Sequence, residues 1–238
     1  MSPGRASDRR PDEAGFTLAE LMVALGVFSI LAVISGAAML SVMSGIRTVS
    51  ASTEIQVEAQ NSAVWVSRLL RYAAIPPGSE SAFLSADQQS LVFHTWAGAG
   101  STPDSPYRAR LGVITTPDGA QQLVSDVAPG RLQDGEWAWS GNWIGGSLQE
   151  PPSADSARRI LLEVGSGQAS PVEFTVWACR PAEGCEATTR NVTPAAPAAI
   201  SLNEGERLFA VDIVLGRTDD PLSAVTQRIN LVNLAGRL

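Results

Sequence analysis

Residues 15–46 read GFTLAELMVALGVFSILAVISGAAMLSVMSGI, and from Leu21 to Ile46 there is no charged side chain. At about 1.5 Å per helical residue this run reaches across the roughly 30 Å hydrocarbon core of a bilayer. It is too long for the apolar core of an ordinary secretory signal peptide. One residue separates it from a plain anchor. Glu20 stands about one turn inside the apolar run, where an ionised carboxylate is costly without a partner. A charge in that place asks for a function.

Downstream the helix is expected to continue. Residues 47–72 carry Ile55, Ala59, Ala63, Val66, Leu69 and Leu70 among polar neighbours, close to the spacing of one helical face. Ile75-Pro76-Pro77-Gly78 then ends the pattern, because Pro disfavours helix before it and Gly supplies a turn. No Pro lies earlier in the span, so residues 16–74 predict one helix without a proline kink, on the order of 90 Å long at 1.5 Å per residue.

Beyond residue 81 the texture becomes that of β-structure. Short apolar or alternating runs at 91–93, 111–114, 160–164, 172–177, 208–215 and 229–234 predict strands, and Thr116-Pro117-Asp118-Gly119 predicts a turn. The Pro-, Ser- and Ala-rich stretches 101–106, 149–155 and 187–199 read as loops. No internal repeat is evident. An N-terminal helix laid against a largely antiparallel sheet, an α+β fold, is what this order implies. The 238 residues leave room for one globular domain after the helix.

The N-terminal residues carry a resemblance. Gly15, Phe16, Thr17 and Leu18, then Glu20 five positions after the Gly, then some twenty apolar residues, resemble the cleavage and methylation signature of type IV prepilins and pseudopilins. The resemblance implies a leader at residues 1–15, cut between Gly15 and Phe16 by a membrane prepilin peptidase that also N-methylates Phe16. Residues 16–46 then become a transmembrane or filament-core helix, 47–74 its amphipathic continuation, and 75–238 a β-rich globular domain. Glu20 becomes a register-setting charge, its carboxylate meeting the Phe16 amine of a neighbouring subunit. The implied partners are other pilin or pseudopilin subunits, the processing enzyme, an inner-membrane assembly platform and membrane lipid. Within the family, residues 64–72 (VWVSRLLRY), the large globular part and the Pro-free helix point to J-type minor pseudopilins of type II secretion or W-type minor pilins.

Arg9 and Arg10 favour a cytoplasmic N-terminus, although Asp12 and Glu13 depart from the usual basic leader. Charge and composition narrow the rest. Net charge is −7, which argues against general nucleic-acid binding by phosphate neutralisation. Arg108 with Arg110, and Arg158 with Arg159, remain candidates for a local patch on a filament-tip module gripping DNA or a surface ligand. An unassembled membrane-anchored exoprotein is the third reading. All seventeen basic residues are Arg, so Schiff-base chemistry, a phosphate-loop Lys and isopeptide-linked pili are excluded.

Cys179 and Cys185 bracket a short loop on the segment placed outside the cytoplasm and read as a disulfide, two free thiols being the other reading. Trp137, Trp139 and Trp143 invite a stacking platform for a sugar or base, but alternate Trp residues more often cover a sheet face. Asp212, Asp219 and Asp220 lack the alternating oxygens of a calcium loop. His94 stands alone on a predicted strand, as a packed or edge side chain, and Asn191-Val192-Thr193 is a common chance triplet. Nothing calls for a cofactor or a metal, and no enzymatic activity is expected.

Overall fold

The computed structural model describes residues 17–97, 105–167, 169–216, 224–231 and 234, with only the backbone of 47–52. Its first element, α1 (Leu18–Arg71), is one helix of 54 residues that runs through two compact units, Met1–Ser50 and Ala51–Leu238. In the first unit every described side chain from Thr17 to Ile46 is exposed, apolar ones included. A helix that is apolar all round and covered by no protein is suited to an apolar solvent. Leu18–Ile46 has a mean hydropathy of 2.4 in its most apolar window, and among the described residues it is the one helix long and apolar enough to cross a membrane. It is a single-pass anchor by length and composition.

In the second unit the helix is amphipathic as its spacing predicts. Ala59, Ala63, Val66, Leu69 and Leu70 are buried, while Val57 and Val64 face outward. The helix stops at Arg71, three residues before the expected end. Ala73 has already left it to bridge Thr95, with the Ala74 amide donating to the His94 carbonyl, and Pro76-Pro77 prevents any return.

Against the buried helical face lies a five-stranded antiparallel sheet. It comprises β1 (Phe83–Ala86), β2 (Ser90–Thr95), β3 (Tyr107–Thr115), β4 (Gln121–Pro129) and, after the small hairpin β5 (Arg131–Gln133) and β6 (Glu136–Ala138), β7 (Ala157–Val164), in the order β1-β2-β3-β4-β7. The β3–β4 connection is the predicted turn: Thr116 and Ala120 close it with a 2.8 Å bond, and Gly119 sits at φ +84°. A Cβ on Gly119 would also lie 2.8 Å from Ser166 Oγ, so a side chain at this positive φ would be strained.

The second sheet is β8 (Val172–Cys179), β9 (Arg190–Asn191), β10 (Arg207–Leu215) and β11 (Val225–Asn230), in the order β11-β10-β8-β9. Alternate residues Val172, Phe174 and Val176 of β8, and Val211, Ile213 and Leu215 of β10, are fully buried. They share one apolar cluster with Leu69, Leu70, Phe93 and Leu123. The stretch 187–199 is therefore not simply a loop: it contributes β9, and Ala198 bridges Ala86 of the first sheet. The last strand lies at Val225–Asn230, earlier than the apolar run 229–234 suggests, because its first half is amphipathic and pairs with β10 through Thr226 and Arg228.

Cys179 and Cys185 form a disulfide that closes the turn leaving β8. In the chain-entropy picture, so short a loop contributes about 2 kcal/mol. Replacing both cysteines with alanine is expected to lower the unfolding free energy by that amount without altering the fold, as read from urea melts of the double variant with and without reductant in the parent.

Candidate functional site

The N-terminal end of α1 is built by a local sequence device. Thr17 precedes the first helical residue, and its hydroxyl accepts from the Glu20 amide at 3.3 Å. In return a Glu20 carboxylate oxygen accepts from the Thr17 amide at 3.0 Å and from the Thr17 hydroxyl at 3.1 Å. This reciprocal pair is a capping box, which satisfies amides that the first helical turn leaves without partners. The Thr-x-x-Glu spacing makes the box legible in the sequence, where reasoning from burial cost alone misses it. Glu20 thus has a partner within its own chain. Gly15 and Phe16 lie outside the described residues.

A family model described as the prokaryotic N-terminal methylation motif matches residues 10–36, the segment that holds Gly15, Phe16, Glu20 and the first turns of α1. The chain carries a type IV prepilin-like signature. The match stops at residue 36, and no curated protein or solved structure matches the chain. The α+β body that follows the pilin-like helix is therefore read from its own residues.

The remaining candidates lie mostly on the face of the first sheet turned away from α1, where the segment 139–150 covers the strands. Trp143 is buried against Val92 and Ala128, with Leu84 and Trp139 packed beside them. The tryptophans at 139 and 143 fill a small second core, and Trp137 lies half-buried on β6. A stacking platform is not what they form.

His94 is buried on β2, between β1 and β3, and so is not an edge residue. Its Nδ1 lies 3.3 Å from the Ser81 carbonyl, while Nε2 accepts from Arg108 Nε at 3.2 Å. The Arg108 guanidinium also stacks 4.4 Å from the centre of the Trp139 ring. Burial, then the neighbouring Arg108 charge, lowers the His94 pKa to about 4, and burial lowers that of Arg108 to about 10. A histidine kept neutral in this way is a poor general base at neutral pH.

The sign of the pH effect follows directly. An unfolded His94 takes up its proton near 6.5 and the folded one only near 4, so stability is unaffected above pH 6.5 and falls as pH drops through that window. His94 is the only histidine in the chain, so its ring resonance is assignable at once by NMR. A titration midpoint near 4 is expected, together with a flatter stability profile between pH 6.5 and 4 in His94→Gln.

Arg110 and Arg158 converge on one carboxylate. Asp126 on β4 is fully buried and accepts from Arg110 Nη2 at 2.8 Å and Arg158 Nε at 2.7 Å. The same two guanidiniums donate to the carbonyls of Ser147, Leu148, Gln149 and Glu150. They strap the covering segment to the sheet. Arg159 alone of the four cations considered for a nucleic-acid patch is exposed, and it stacks over Trp65. These four do not make an exposed basic face.

On the second sheet Asp212 is held by Arg228 through two 2.6 Å bonds and by the Trp177 indole at 2.8 Å. The Arg228 bonds, chiefly, keep its carboxyl below the usual range. Asp219 and Asp220 lie outside the described residues. Among the described residues no cluster of three or more His, Cys, Asp or Glu side chains is arranged to hold a metal.

Proposed function

We propose that the chain is a minor pilin or pseudopilin, a structural subunit that starts or caps a short filament, of the kind represented by J-type subunits of type II secretion or W-type minor pilins. The observation that carries this reading is the methylation motif at 10–36 running directly into a 54-residue helix. Processing at Gly15–Phe16 and methylation of Phe16 would release a helix able to leave the bilayer and pack among its neighbours. Support for the subclass comes from the Pro-free helix and the run 64–72, which ends the amphipathic half. The chain acts mechanically and is no enzyme; extraction from the membrane is driven by a separate ATPase at the assembly platform. The N-terminus is cytoplasmic, and the disulfide-bonded body lies on the oxidising side of the inner membrane.

N-terminal sequencing with mass measurement of the mature protein from a host with a prepilin peptidase tests the first step. A start at Phe16 with one added methyl group is expected. A start elsewhere, or an uncut chain, removes the basis of the proposal.

A further inference from the structure

In the globular unit a cleft of about 650 Å³ runs between α1 and β7. Its volume falls within the range of real binding sites. One wall is helical, with Glu54, Glu58, Ser62 and Trp65; the other is the strand, with Arg159, Ile160 and Glu163 among its residues. Among the described strands β7 pairs only with β4, so its outer edge faces this cleft. Ile160, on that edge strand, is 56% exposed. Natural edges of this length are usually covered or guarded, and an exposed edge beside an apolar side chain is a template for another strand.

The contacts fix the orientation of the cleft. Trp65 lies under Arg159, and the Ser62 hydroxyl donates to the Leu161 carbonyl, so moving back along the helix means moving forward along the strand. Glu54 and Glu58 thus lie toward one end of the cleft, while Arg159 sits at the opposite end; the Glu163 carboxylate is held by Gln122 on the other face of the sheet. Leu161 is the extra residue at the break in β4–β7 register, and its bond to Ser62 fixes the floor.

We infer that this cleft docks an extended, basic segment of another protein, which lies along the β7 edge and places an arginine or lysine beside Glu54 and Glu58. Backbone bonds to the edge give affinity, and the acidic end selects the side chain. The inference stands on the globular unit alone and does not depend on filament assembly.

The test uses the full chain in detergent and an N-acetylated nonapeptide of alternating arginine and valine, followed by calorimetry. Saturable binding is expected, with slowed amide exchange at 157–164. The exposed pair Glu54→Arg/Glu58→Arg is expected to weaken it about ten-fold or more. The control pair Glu173→Arg/Glu186→Arg, exposed on β8 and in the disulfide turn, changes net charge equally and is expected to leave affinity within about two-fold. Circular dichroism confirms that both pairs are folded. Absence of saturable binding overturns the inference. So does equal binding of a proline-interrupted or a helical arginine peptide, equal competition by free arginine, or an equal loss in the control pair.

Discussion

Replacing Glu20 with alanine is expected to leave cleavage before Phe16 intact while reducing assembly into filaments at least about ten-fold, scored by chemical cross-linking of subunits in membranes. Ten-fold corresponds to only about 1.4 kcal/mol, whereas removing one partner of a buried charge pair costs about 3–5 kcal/mol. The geometry offers a second explanation for any defect, since Glu20 also closes the capping box with Thr17. Losing a cap costs about 0.5–2 kcal/mol of helix stability. Two further variants separate the causes. Glu20→Gln keeps an oxygen for the Thr17 amide but loses the charge, and it is expected to fail like alanine. Thr17→Val removes the hydroxyl and keeps the charge, and it is expected to assemble nearly as the parent does. If Thr17→Val fails as badly as Glu20→Ala, the carboxylate serves the helix end and the proposed pairing with a neighbour's amine is wrong.

What was legible in the sequence followed from simple periodicity. The apolar run from Leu21, the face Ala59–Ala63–Val66–Leu70 and the stop at Pro76 define α1 to within three residues at its C-terminal end. β8 and β10 show as alternating or apolar runs because one of their faces meets the helix and core. β4 does not show, although it is a central strand. Its middle reads Val124-Ser125-Asp126-Val127, and a buried Asp breaks the apolar pattern by which central strands are recognised. That Asp is tolerated only because Arg110 and Arg158 arrive from β3 and β7, a meeting that spacing along one strand cannot reveal. The four arginines at 108, 110, 158 and 159 invite a surface patch for the same reason: their partners are distant in sequence. Thr17 and Glu20, by contrast, are three residues apart, and their box was readable from the chain alone.

The Asp126 cluster carries the largest expected effect on stability. Asp126→Asn leaves the buried Arg110 guanidinium beside that of Arg158 with no counter-charge, and a loss of about 3–5 kcal/mol is expected in urea melts. Replacing all three by apolar residues (Arg110→Met, Asp126→Leu, Arg158→Met) is a different experiment. It removes the desolvation cost together with the attraction, so the triple variant is expected to lie well above Asp126→Asn in stability. It also removes the donors to the carbonyls of residues 147–150. Gln149 and Glu150 are exposed, so water can replace some of those bonds, and the strap is expected to loosen although the sheet survives. Hydrogen exchange then distinguishes the two roles: faster exchange confined to the 139–150 segment in the triple variant, against globally faster exchange in Asp126→Asn. A triple variant as unstable as Asp126→Asn would mean that the strap, rather than the balance of buried charge, holds this face of the sheet together.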